Sequence, residues 1–184
     1  AVARLSDEQA QYHFISGYTA KVAGTELGVK EPQAAFSACF GGPFMPRHPA
    51  VYAKMLAEFA KKEGASVWLL NTGWTNGGYG EGERFPLRVS RRILQAIQRG
   101  ELDEMSYVKH PVFGFDVPRS CPDVDSKLLR IPGGPVVEQL AKLFVENMKK
   151  TADEVDPSVL AKGGPKIGQQ DEPLSSQSVS VNAK

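Results

Sequence analysis

Three features of the sequence predict an α/β domain. A stretch of helical apolar spacing is opened by His48-Pro49 and closed by Gly64. A short, nearly all-apolar run, SVWLLN at 66–71, follows at once and reads as a strand buried on both faces. A helix, a glycine turn and a buried strand in succession are the unit from which α/β folds are built.

The remaining elements follow in chain order. Residues 5–14 (LSDEQAQYHF) start a short helix, with Ser6 as N-cap and Glu8-Gln9 behind it. Residues 17–35 are rich in Gly, Thr and Ala and hold no period of 2 or 3.6. They read as a long ordered loop, anchored by the apolar stretch Phe36–Phe44, of the kind that serves as a lid or binding loop. In the helix after His48-Pro49, the apolar stripe is Val51, Tyr52, Met55, Leu56 and Phe59, with Lys54, Glu58, Lys61 and Lys62 on the other side. A second helix runs from Val89 to Arg99, with Val89, Ile93, Leu94 and Ile97 on one face, and stops at Gly100. Residues 112–118 (VFGFDVP) alternate as a strand would. A third helix, 135–149, carries Val136, Val137, Leu140, Leu143, Phe144 and Met148. Beyond Thr151 the chain turns polar, and residues 168–184 read as a disordered tail with almost nothing to bury.

Composition narrows the function. The 184 residues suit one domain or a large piece of a bigger protein, and at 41% hydrophobic and 23% charged they support a buried core. No apolar run approaches the roughly 20 residues of a membrane span, and no signal-peptide layout opens the chain. A membrane partner is therefore not expected. A net charge of +1 gives no global reason to expect nucleic acid. Cys39 and Cys121 form neither a CxxC pair nor a His cluster, which fits a reducing compartment rather than a zinc site or disulfide framework. The chain begins without Met, as if mid-domain, and reads as a partial chain.

The chemistry concentrates at 66–99. Five glycines in the ten positions 73–82 are followed by five arginines (84, 88, 91, 92 and 99) with no acid between the first and last. A glycine-rich loop leaves backbone N–H groups free to face an anion. A helix starting near Ser90, capped by Ser90 itself, adds the positive end of its dipole. Arginine supplies the fork that matches phosphate oxygens. A phosphorylated ligand is one reading; a glycine hairpin followed by a helix with a solvated basic face is the other. The loop matches neither GxxxxGK[ST] nor GxGxxG, so a triphosphate would be cradled elsewhere.

The histidines carry little chemistry. His13, His48 and His110 are far apart in sequence, and the last two precede proline, where they mark turns or helix starts. Cys39, inside FSACFGG, reads as a buried inert thiol. No Ser/His/Asp arrangement or carboxylate dyad stands out.

Longer motifs carry a resemblance. GYTAKVAGTELGVKEPQAAFSACFG (17–41), HPAVYAKML (48–56), WLLNTGW (68–74) and GERFPLRVSRRI (82–93) resemble, in order, the C-terminal region of ATP-dependent phosphoenolpyruvate carboxykinases. The match runs from about residue 13 to about residue 131, with a weaker echo at 140–148 and 163–167. The resemblance implies a mixed-sheet, nucleotide-binding C-terminal domain over 1–167, with an active-site lid at 17–36. It implies the conversion of oxaloacetate and ATP to phosphoenolpyruvate, ADP and carbon dioxide, with Mg2+ and Mn2+ as metal cofactors. It also implies that Arg84 and Phe85 contact ATP, with Ser90 in place of the family's threonine. The chain carries no readable compartment signal and ends in NAK rather than an SKL-like tripeptide, so a cytoplasmic location is the default expectation.

Two departures stand out. Glu83 replaces the lysine common before the nucleotide arginine, and RIPGGP (130–135) replaces a DPRN-type segment. On this reading the P-loop, the metal ligands and the oxaloacetate-binding residues lie upstream of residue 1. No catalytic residue and no metal ligand is then expected within the chain. The rival reading is a non-catalytic nucleotide-binding module that kept the lid and the arginine loop; a third is an interaction domain using its basic helix.

Overall fold

Capping chemistry sets the helix ends, and alternation along a single short strand sets the layers. The computed structural model describes residues 1–21, 33–76 and 80–167. Its elements are β1 (Val2–Arg4), α1 (Asp7–Ser16), β2 (Tyr18–Lys21), β3 (Gln33–Phe36), α2 (Pro49–Glu63), β4 (Trp68–Leu70), β5 (Trp74–Thr75), β6 (Glu83–Arg84), α3 (Leu87–Gln98), β7 (Tyr107–Lys109), β8 (Asp116–Pro118), α4 (Pro135–Met148) and α5 (Pro157–Gly163). Short 3-10 turns link several of them.

The Ser6 hydroxyl accepts from the Gln9 N–H at 3.2 Å, and the Gln9 side chain accepts from the Ser6 N–H at 3.0 Å. This reciprocal capping box starts α1 at the place the sequence predicts. His48 Nδ1 accepts from the Ala50 N–H at 3.3 Å and so caps α2, which Gly64 closes. His110, also before proline, accepts from the Val112 and Phe113 N–H groups at 3.2 and 3.3 Å. Both His-Pro pairs thus mark turns or helix starts, as the sequence suggests.

The main sheet has the order β4-β1-β8-β7, and every pair in it is antiparallel. Neighbouring side chains of a strand point to opposite faces. Val2 accordingly joins Phe85, Val89, Ile93, Ala96 and Leu102 in one apolar cluster. Ala3 joins Tyr12, Ile15, Ala53, Phe113, Val117 and Phe144 in another. Helix α3 therefore covers one face of the sheet, and α1, α2, α4 and α5 cover the other.

Several expectations are corrected. The run 66–71 gives an edge strand rather than one buried on both faces: β4 pairs only with β1 among the described residues, and Trp68, Leu69 and Leu70 are half-buried. The stretch 17–35 is not a loop throughout. Its ends form an antiparallel ribbon, with Tyr18 opposite Phe36 and Lys21 opposite Gln33; residues 22–32 lie outside the described residues. The strand expected over 112–118 is confined to Asp116–Pro118, because Gly114, at φ 68°, turns the chain before it. Strands β1 and β7 and helix α5 were not expected at all.

On α2, Ala53 is the buried residue, whereas Met55 and Phe59 of the predicted stripe are 45% and 58% exposed. On α4, Val137, Ala141, Phe144 and Met148 face inward and Val136 faces out. Helix α5 fits against α1 because Gly163 has no side chain. A Cβ there would lie 2.4 Å from the Glu8 carbonyl oxygen and 2.8 Å from Tyr12 Cβ. The expected tail, 168–184, lies outside the described residues.

Candidate nucleotide site

The glycine-rich stretch folds as a hairpin. Its two short strands pair Trp74 with Arg84 and Thr75 with Glu83, and the Phe85 N–H donates to the Gly73 carbonyl at 2.8 Å. Residues 77–79, at the glycines between them, lie outside the described residues. The pleat separates the two neighbours that matter most: Arg84 is exposed, while Phe85 is 6% exposed and packs beneath it in the α3 cluster. Phe85 thus anchors the strand that presents the Arg84 guanidinium.

Helix α3 starts at Leu87, two residues earlier than the spacing predicts, with Pro86 in the cap position and no side chain capping it. Ser90 therefore does not cap the helix. It lies inside α3, 7% exposed, on the buried face with Val89, Ile93 and Ala96. The fold brings Arg84 and Phe85 side by side and turns Ser90 inward.

The run of arginines divides in two. Arg92 donates from Nη2 to Glu101 at 2.6 Å and from Nε to Asp123 at 3.0 Å, and these two carboxylates raise its pKa. Arg99 lies 3.7 Å from the other Glu101 oxygen. Arg84, Arg88 and Arg91 are exposed, and no carboxylate pairs with them among the described residues. These three exposed arginines lie on β6 and the first half of α3. An exposed guanidinium fork suits a phosphate group.

Asn71 sits where the main sheet gives way to the hairpin. Its Oδ1 accepts from the Gly73 N–H at 2.8 Å, and its Nδ2 donates to the Trp74 carbonyl at 3.2 Å. The signal was present as an Asn two residues before a Gly, the pattern of an Asx turn.

Other candidate groups stay chemically quiet. Cys39 and Cys121 are buried free thiols, and burial pushes the pKa of each up. His13 is enclosed by the rings of Phe113, Phe115 and Phe144, and burial lowers its pKa to about 4. Among the described residues, no group of three or more His, Cys, Asp or Glu is placed to hold a metal ion. No helix among them is long and apolar enough to cross a membrane. A cleft of about 440 Å³ lies between α1, α2 and residues 154–159, and none of Arg84, Phe85 and Ser90 lines it.

The chain matches the model of the phosphoenolpyruvate carboxykinase family, ATP form, over residues 1–127. It belongs to that family. To the phosphoenolpyruvate carboxykinase (ATP) of Dictyostelium discoideum it is 49% identical over 170 residues, 88% of this chain and 30% of that protein. To those of Thermus thermophilus and Rhizobium rhizogenes it is 50% and 51% identical, over 90% and 86% of this chain and 32% and 31% of theirs. The carboxykinase match thus takes in both the β2–β3 ribbon and the arginine hairpin. It also extends past the stretch read from motifs alone. The chain spans about 30% of the length of the carboxykinases it matches.

Proposed function

We propose that this chain is the C-terminal part of an ATP-dependent phosphoenolpyruvate carboxykinase and supplies half of its nucleotide site and its lid. The complete enzyme would convert oxaloacetate and ATP to phosphoenolpyruvate, ADP and carbon dioxide in the cytoplasm. The observation that carries the reading is the family match over residues 1–127, which spans the hairpin that exposes Arg84.

In this reading the Arg84 guanidinium pairs with nucleotide phosphate oxygens through charge-assisted hydrogen bonds. The uncapped N-terminus of α3 favours negative charge beside it. Phe85 holds the strand in place from below. Ser90, buried on α3, serves through the packing of that helix or through a hydroxyl presented at its inner face. The β2–β3 ribbon is the base of a lid over 17–36 that keeps water from the enolate left by decarboxylation, which would otherwise take a proton and become pyruvate. The family's divalent ions would stabilise charge on the transferring phosphoryl group. The family resemblance puts the ligands of these ions upstream of residue 1, and no metal step is placed on this chain.

The test is ATP-dependent release of carbon dioxide from oxaloacetate by the full-length protein, with residues 1–184 alone as control. Turnover by the full-length protein and none by the control is expected, because phosphoryl transfer requires the phosphate cradle and the metal in place. A full-length protein that neither turns over nor binds ATP would refute the reading.

A further inference from the structure

We infer that Asn71 is a positioning residue for the nucleotide site, locking the hairpin that carries Arg84 to the end of the main sheet. The inference rests on the reading that Arg84 contacts the nucleotide. The geometry runs in one direction. The Asn71 N–H donates to the Ala1 carbonyl at 2.8 Å, extending the ladder between β1 and β4 by one rung. The Asn71 backbone is therefore part of the rigid sheet. Its side chain then reaches forward over the turn, accepting from the Gly73 N–H at 2.8 Å and donating to the Trp74 carbonyl at 3.2 Å.

Both of those partners belong to the Arg84 strand pair. Trp74 is the residue opposite Arg84, and the Gly73 carbonyl accepts from the Phe85 N–H. One amide side chain thus grips the backbone on either side of the Gly73–Trp74 peptide, and that backbone in turn sets where Arg84 begins. The two strands of the hairpin are only two residues each, too short to fix their own direction. A brace from the sheet is what such a hairpin needs to hold a cation in register with a bound phosphate.

The residue type is specific. One partner is a donor and the other an acceptor, so the group at position 71 must accept and donate at once, at Asn length. Serine can replace the acceptor function of an Asx turn but is too short to keep the second bond.

The test compares Asn71→Ala, Asn71→Ser and Arg84→Ala in the full-length protein. ATP affinity is measured by calorimetry, the KM for oxaloacetate by steady-state assay and stability by thermal melting. Asn71→Ala is expected to weaken ATP binding roughly five-fold, the equivalent of one ordinary hydrogen bond, with oxaloacetate KM and melting temperature unchanged. Asn71→Ser is expected to fall between Asn71→Ala and the unchanged protein, and it carries the test if Asn71→Ala does not fold. Wild-type ATP affinity in both Asn71 variants, with Arg84→Ala impaired, would overturn the inference and leave the nucleotide reading standing. Equal losses for ATP and oxaloacetate, or a fall in melting temperature that accounts for the loss, would overturn it as well. Wild-type ATP affinity in Arg84→Ala would instead remove the reading on which the inference rests.

Discussion

The Arg92 guanidinium lies 2.6 Å from Glu101, and the same side chain reaches Asp123 at 3.0 Å. One residue of an apparently uniform basic stretch is thereby committed to tying α3 to the turn after it and to the loop around Cys121.

This pairing separates Arg92 from its neighbours in a testable way. Arg92→Met is expected to lower the thermal midpoint of the full-length protein and leave ATP affinity near its original value once folded. Arg88→Ala is expected to leave the midpoint unchanged. Equal midpoints for both variants would mean that the Arg92 pairs are as replaceable as ordinary surface ion pairs.

Arg84 is expected to matter for the reaction and Phe85 for the fold. In the full-length enzyme, Arg84→Ala should lower kcat/KM for ATP at least tenfold, the equivalent of about 1.5–3 kcal/mol for a hydrogen bond to a charged group. Ser90→Ala should cost several-fold at most. Phe85→Leu keeps an apolar filler and should preserve activity, whereas Phe85→Ala empties a buried site and should destabilise by about 3–5 kcal/mol. A fully active Arg84→Ala beside an inactive Arg88→Ala would move the nucleotide to the other side of the hairpin.

Gly163→Ala should separate α5 from α1. The added carbon meets the Glu8 carbonyl and Tyr12, both held in helix α1, so neither can yield cheaply. A loss of about 1–3 kcal/mol in a urea titration is expected. A neutral result would show that α5 can lift away from α1 without cost.

His13 gives the protein a sensitivity to acid. Its ring is buried, Nε2 has no hydrogen-bond partner among the described residues, and burial lowers its pKa from an ordinary 6.5 to about 4. Folding therefore favours the neutral ring. The associated stability is complete above pH 6.5 and is lost as the pH falls toward 4, by on the order of 3 kcal/mol in total. Urea midpoints measured between pH 7 and pH 4 should fall less steeply for His13→Leu than for the unchanged protein. Parallel curves would show that the ring takes up its proton without opening the core.

Local chemistry was legible in the sequence, and pairing across the chain was not. Ser6 with Gln9, and His48-Pro49 with Gly64, fix their helices through neighbours a few residues away, and both helices form where those residues put them. The partners of β1 and β7 are distant in sequence, and three-residue strands carry too little alternation to announce themselves. The ribbon ends at Tyr18 and Phe36 were hidden for the same reason. At the site, the arginine-rich stretch was visible, but its division was not. Glu101 and Asp123, which claim Arg92, lie outside the acid-free stretch. The inward turn of Ser90 followed from a helix start at Leu87 that Pro86 allows but no side chain signals.

The ribbon has a consequence for the energetics of closing the proposed lid. The rings of Tyr18, Phe36 and Phe144 meet pairwise, with centroids 5.2–5.5 Å apart, and so clamp both strands at their base onto α4. The two chain ends that lead into residues 22–32 therefore leave the ribbon as paired neighbours, at Lys21 and Gln33. Bringing the ends of a segment together is a separate entropic cost from ordering the residues between them. Here the first cost is met once, when the protein folds. If 17–36 serves as the proposed lid, its closure would not have to meet that first cost again.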